Sequence, residues 1–119
     1  MKIKDLFMLS KVESMQNLLE PSKIKSLNFF YTYVLKSRKD RKNYIGYTNN
    51  LKERIHQHNK GYVFSTRSRR PFELIYYESC LNEEDAKQRE QYLKSTTGRR
   101  WLGKRLKNFN QESKTYASI

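Results

Sequence analysis

Phe29-Phe30-Tyr31-Thr32-Tyr33-Val34-Leu35-Lys36 is answered, after a short charged interval, by Tyr44-Ile45-Gly46-Tyr47. In the first segment Phe29, Tyr31, Tyr33 and Leu35 point one way and Phe30, Thr32 and Val34 the other, which is the two-residue period of a strand. The interval Ser37-Arg38-Lys39-Asp40-Arg41-Lys42 is a charged turn, so the two segments read as a hairpin. Gly46 has no side chain to pack in the returning strand, and that marks a close approach of another backbone or a ligand.

Working outward, Asn49 and Asn50 offer helix N-caps, and Asn50 with Glu53 has capping-box spacing. On the helix that follows, Leu51, Ile55 and His58 share a face with Arg54 at its edge, and Gly61 is the terminator. The loop Ser65-Thr66-Arg67-Ser68-Arg69-Arg70-Pro71 leads to a third strand over 72–80, with Leu74 and Tyr76 on one face and Ile75 and Tyr77 on the other. Asn82 with Glu83, Glu84 and Asp85 makes an acidic helix start that suits the helix dipole. Ala86, Glu90 and Leu93 line one face of that helix. Gly98 breaks it, and residues 99–109 form a basic helix with Trp101, Leu102 and Leu106 inward. The order β-β-α-β-α-α predicts an α+β fold: a small, mainly antiparallel three-stranded sheet flanked by helices.

The chain has 119 residues, room for one domain. Residues 1–28 read as an N-terminal extension, helical or partly disordered; 29–109 form the domain; 110–119 read as a flexible tail. Net charge is +13 and uneven, with +9 over residues 29–71, +5 over 99–119 and −3 over 72–98. A basic body with one acidic region suits a protein that holds a polyanion and binds a cation at one point. Cys80 is the only cysteine, which excludes a disulfide framework and a cysteine zinc site. It closes the third strand and reads as a small buried hydrophobe. No segment approaches the ~20 apolar residues of a membrane span, and the longest apolar run near the N-terminus, Leu6-Phe7-Met8-Leu9, is too short for a signal peptide. A cytoplasmic, reducing setting is expected.

Three groups carry the candidate chemistry, and each admits a structural reading. Glu90, at helical spacing with Ala86 and Leu93, points coreward and needs a cation, either a basic partner such as Arg54 or a metal ion. His58 is either a hydrogen-bonded core residue or a reactive group sharing a point with Arg54 one turn earlier. Tyr33 and Tyr44, on neighbouring strands, suit a plain aromatic pair.

Taken together, residues 31–95, and more loosely on to about 109, resemble the GIY-YIG nuclease superfamily. The first triad stands as Tyr31-Thr32-Tyr33, with its tyrosine kept and Gly and Ile replaced; the second is intact as Tyr44-Ile45-Gly46. Arg54 matches the family's arginine, His58 the position four residues on, and Glu90 the metal-binding glutamate. His58-Asn59, Gly61, Ser65-Thr66, Arg69-Arg70-Pro71, Tyr76-Tyr77-Glu78, Arg89-Glu90, Leu93-Lys94-Ser95 and Gly98-Arg99 are similar to the small stand-alone bacterial branch. Tyr47 stands where the incision domain of the nucleotide-excision-repair endonuclease carries Lys, which argues against a repair subunit.

The resemblance implies a metal-dependent DNA endonuclease, with a non-catalytic nucleic-acid-binding module of the same fold as the alternative. Its catalytic residues would be Tyr33, Tyr44, Arg54, His58 and Glu90, with Glu90 holding one Mg²⁺ or Mn²⁺. Arg67, Arg69 and Arg70 in the loop and Arg99, Arg100, Lys104 and Arg105 on the basic helix would hold the DNA, double-stranded or branched, by its backbone. No base-reading motif is present, so little sequence specificity is expected.

Overall fold

The computed structural model describes residues 27–117, with side chains to residue 112; the extension read over 1–28 lies almost wholly outside the described residues. The elements are β1 (Phe30–Ser37), β2 (Asn43–Thr48), α1 (Leu51–Lys60), β3 (Phe72–Cys80), α2 (Glu83–Lys94), α3 (Thr96–Arg105) and α4 (Lys107–Ala117), with a 3-10 turn over Arg67–Arg69. The sheet is antiparallel in the order β2-β1-β3, so the α+β architecture and its element order are those expected.

β1 lies centrally because it is apolar on both faces: Thr32, Tyr33, Val34, Leu35 and Ser37 are all buried. On one face Val34 and Ile45 pack with Leu93, Leu102 and Leu106 beneath α2 and α3. On the other, Tyr33, Leu35 and Phe72 pack with Tyr44, Leu51, Ile55 and Leu74 beneath α1. β3 departs from strict alternation. Val34 pairs with Tyr76 but Leu35 with Leu74, so Ile75 is the extra residue of a β-bulge. Leu74 therefore packs on the α1 side, while Ile75 and Tyr76 both pack on the α2–α3 side.

The hairpin turn is set by its own polar side chains. Ser37 Oγ accepts the N–H groups of Lys39 and Asp40, and Asp40 Oδ1 accepts that of Lys42. The turn is clamped to the loop after α1, since Ser37 Oγ also donates to the Arg69 carbonyl and Arg69 Nε meets Asp40 Oδ2 at 2.6 Å. The Arg69 guanidinium holds the Asp40 carboxyl well below the usual carboxylate range.

α1 starts and stops as its sequence dictates. Asn50 Oδ1 accepts the Glu53 N–H, and Gly61 at φ 78 takes the left-handed position that closes the last turn. The side chain of Asn59 then bonds both the N–H and the C=O of Phe72, tying the helix to the first residue of β3.

Three expectations change. Gly98 does not break a helix: Ser95 caps α3, its Oγ accepting the Gly98 N–H, and Gly98 is the helix's third residue. A Cβ at Gly98 would lie 1.8 Å from the Tyr92 carbonyl oxygen, so this glycine allows the tight α2–α3 junction. The basic helix of residues 99–109 is two helices that meet at Leu106, and the second runs to Ala117, into the stretch read as a tail. Cys80 is only partly buried, and its thiol donates to the Asn82 carbonyl at 3.2 Å.

Candidate active site and flanking basic groove

β1 supplies Tyr33, β2 Tyr44 and α1 His58 to one cluster of ring contacts, and Arg54 of α1 and Glu90 of α2 stand near enough for their charges to act on Tyr33. Tyr33 sits opposite Gly46 across the β1–β2 ladder. A Cβ at Gly46 would lie 2.5 Å from Tyr33 Oη, so the close approach read from the sequence is that of the tyrosine side chain. The tyrosine rings and the imidazole interlock, with Tyr44 and His58 centroids 5.0 Å apart and Tyr33 and His58 5.9 Å apart. The aromatic cluster thus contains three of the candidate residues, Tyr33, Tyr44 and His58.

His58 is completely buried, and both its ring nitrogens are engaged. Nε2 lies 2.9 Å from Tyr33 Oη and Nδ1 lies 2.8 Å from Thr66 Oγ1. Burial pulls the imidazole down to about 4, helped by the Arg54 charge, so it is neutral at physiological pH. Burial pushes Tyr33 up to about 12; the Arg54 guanidinium opposes this, while Tyr44 and Glu90 add to it. Both groups therefore rest uncharged, and the Glu90 charge is felt at the phenol. Arg54 Nη1 also donates to Gln57 Oε1 at 3.1 Å, which holds the guanidinium along its own helix.

Glu90 has Lys94 as its basic partner rather than Arg54. Its Oε1 lies 3.0 Å from Lys94 Nζ, one turn along α2, and 3.3 Å from Gln91 Nε2, and its side chain is 12% exposed. Among the described residues no three His, Cys, Asp or Glu side chains form a metal-ligating group. That donor set does not fit a zinc site with three or four protein ligands. It does fit a hard cation such as Mg²⁺, which keeps its waters and takes one carboxylate plus phosphate oxygens.

Two hollows flank this centre. One, of about 620 Å³, has Arg54 in its wall together with Glu53 and Glu83. The other, of about 710 Å³ between the hairpin and α3–α4, begins at Tyr44 and is walled by Lys36, Arg41, Lys42, Arg69, Lys94 and Arg99, with no carboxylate among its lining residues. Of the seven cations expected to hold nucleic acid, the groove contains Arg69 and Arg99. Arg67 lies over the Phe64 ring at 4.7 Å, and Arg70 packs against Gly61. Arg105 lies over Tyr76 at 5.9 Å, and Arg100 and Lys104 are exposed on α3, outside the groove lining. Sequence reasoning did not assign Lys36, Arg41, Lys42 or Lys94 to this surface. Their only signal was charge density, which does not say which side chains converge.

The family model for the GIY-YIG catalytic domain matches residues 29–105. A UPF0213 protein of Clostridium perfringens is 46% identical over 68 residues, covering 56% of this chain and 72% of its own. A UPF0213 protein of Pediococcus acidilactici is 45% identical over 86 residues, covering 70% and 86%, and the UPF0213 protein YazA of Bacillus subtilis 44% over 71, covering 59% and 71%. No solved structure gives a significant match. No helix among the described residues is long and apolar enough to cross a membrane. With the matched region spanning every element of the site, the chain belongs to the GIY-YIG family, a nuclease-type family in its small UPF0213 form.

Proposed function

We propose that this protein is a metal-dependent DNA endonuclease that hydrolyses phosphodiester bonds with little sequence preference. The observation that carries the reading is Tyr33 Oη, held 2.9 Å from a buried, neutral His58. The charges of Arg54 and Glu90 both act on the same tyrosine.

A phenol pushed up to about 12 is not a free phenolate at neutral pH. Tyr33 therefore acts by relay, taking a proton from the attacking water while its own passes to His58 Nε2. Tyr44 orients that water from the adjoining strand. Arg54 grips the scissile phosphate through its planar fork and offsets the charge that builds there as the leaving oxygen departs. Glu90 is the protein ligand for Mg²⁺ or Mn²⁺, and that ion supplies neutralisation of phosphoryl charge and an easier ionisation of water. The basic groove holds a DNA strand, double-stranded or branched, by its phosphates and reads no bases. A cytoplasmic setting accords with the lone Cys80.

The non-catalytic alternative draws on Lys94, which already neutralises Glu90. Plasmid and branched DNA incubated with Mg²⁺ or Mn²⁺ decide between the two. The nuclease reading expects nicking that chelation abolishes, and binding that weakens steeply with salt. Salt-sensitive binding without nicking in either ion would favour the alternative.

A further inference from the structure

We propose that Thr66, in the loop after α1, is a positioning residue of this centre. Its hydroxyl fixes His58 in the one tautomer whose Nε2 can accept the Tyr33 proton. The inference rests on the hydrolytic reading above.

Tyr33, His58, Thr66 and the Val63 carbonyl form one chain of polar contacts. Tyr33 Oη is 2.9 Å from His58 Nε2, and His58 Nδ1 is 2.8 Å from Thr66 Oγ1. Thr66 Oγ1 donates to the Val63 carbonyl at 3.4 Å, the longest link. A carbonyl only accepts, so the Val63 end sets the direction of everything before it. Thr66 gives its hydrogen to Val63 and accepts from His58 Nδ1–H. Nε2 is left bare, and Tyr33 donates to it.

Run the other way, His58 Nε2–H would donate to the Tyr33 oxygen and leave the Tyr33 O–H to find another acceptor, though His58 is its hydrogen-bond partner among the described residues. Tyr33 is 1% exposed, so in the resting chain that O–H has little access to bulk water. Thr66 is equally buried, and its own backbone holds it in place: its N–H donates to the Val63 carbonyl at 3.1 Å and its carbonyl accepts the Arg69 N–H at 2.9 Å. The Val63 carbonyl also takes the Arg67 N–H at 3.0 Å, which orients it towards the turn. A threonine eight residues from the histidine thereby decides which nitrogen is basic. Ser65-Thr66 belongs to the resemblance pattern, and the mechanism otherwise gives it no task.

The deciding measurement needs no substrate. Nitrogen-15 spectra of the imidazole should show a protonated Nδ1 and a bare Nε2 at His58 in the wild-type chain, with exposed His56 as internal reference. Thr66→Val, close in volume, should stay folded with a melting temperature lowered by several degrees, the cost of one orphaned imidazole nitrogen. It should lose that preference and lower single-turnover nicking in Mn²⁺ by about 10- to 100-fold, as when a partner that orients a histidine is lost. Thr66→Ser should restore both the spectrum and the rate. A wild-type His58 protonated on Nε2, or a Thr66→Val chain that keeps the wild-type tautomer, overturns the proposal. If Thr66→Val unfolds, the wild-type and Thr66→Ser spectra still decide. Absent nicking in every variant would overturn the nuclease reading and leave the tautomer result standing.

Discussion

On the α2–α3 face of the sheet, Val34, Ile45, Leu93, Leu102 and Leu106 close an aliphatic core. On the α1 face, Tyr33, Leu35 and Phe72 share the interior with two fully buried polar residues, His58 and Thr66. The first face gains stability from every apolar area removed from water and tolerates small shifts. The second must place each hydrogen-bonding atom opposite a partner, because an orphaned buried donor or acceptor costs about 1–3 kcal/mol. Among the described residues, no buried side-chain nitrogen or oxygen lacks a partner. The comparison teaches that one face makes the fold and the other spends packing freedom on geometry, so the two can be broken separately.

Leu93→Ala should have the largest effect on stability. The side chain is completely buried at the centre of the aliphatic core, and its loss should cost about 2–5 kcal/mol, seen as a drop in denaturation midpoint. The rate per folded molecule should not change. Loss of activity without loss of stability would erase the distinction between the faces.

Gly46→Ala should do the reverse. Its Cβ would stand 2.5 Å from Tyr33 Oη, so the tyrosine must leave His58 or the strands must part. We expect about 1–3 kcal/mol of destabilisation, as for overpacking, with nicking reduced far more than that figure implies. Stability and single-turnover rate measured together check this; a near-wild-type rate would mean that the Tyr33–His58 contact is not used.

The smallest effect is a pH dependence. The folded chain holds His58 down at about 4 against an ordinary 6.5, so below pH 6.5 the unfolded chain binds a proton that the folded chain refuses. The associated stability is present above pH 6.5 and is lost as pH falls towards 4, on the order of 2 kcal/mol. Tyr33 acts at the other end: raised to about 12, it contributes stability below pH 10 that is lost as pH rises towards 12. Urea unfolding from pH 7 to 4 should show the acid limb in the wild-type chain and a shallower one in His58→Gln. Identical slopes would place the acid sensitivity elsewhere.

The fold was legible where periodicity and caps speak locally. The bounds of β3, the Asn50 cap and the Gly61 stop are properties of neighbouring residues. The bulge at Ile75 was hidden, because one inserted residue leaves the apolar content of the strand unchanged while moving Tyr76 to the other face. Gly98 misled for a related reason: low helix propensity looks like a break, whereas the residue answers to a carbonyl across the α2–α3 junction. The five candidate residues stood out as a pattern, and the structure puts Tyr33, Tyr44 and His58 in contact with one another. Thr66 could be quoted but not interpreted, since its meaning depends on a contact with His58 that only folding creates. The groove was half visible. Clustered lysines and arginines announced a polyanion surface, but only the packing of the hairpin beside α3 turns Lys36, Lys42 and Arg99 towards one another.

Glu90 gives the most direct test of the central claim, that this centre hydrolyses phosphodiesters with one carboxylate-held cation. Glu90→Gln keeps the shape beside Ala86 and Leu93 and a hydrogen-bond acceptor for Lys94, but removes the anionic ligand. Mn²⁺ affinity, nicking rate and thermal stability should be measured on the same preparation. The account expects metal binding and nicking to be lost while the melting temperature and the salt-dependent DNA affinity stay near wild type. Nicking that persists, or that disappears only because the chain unfolds, would contradict it.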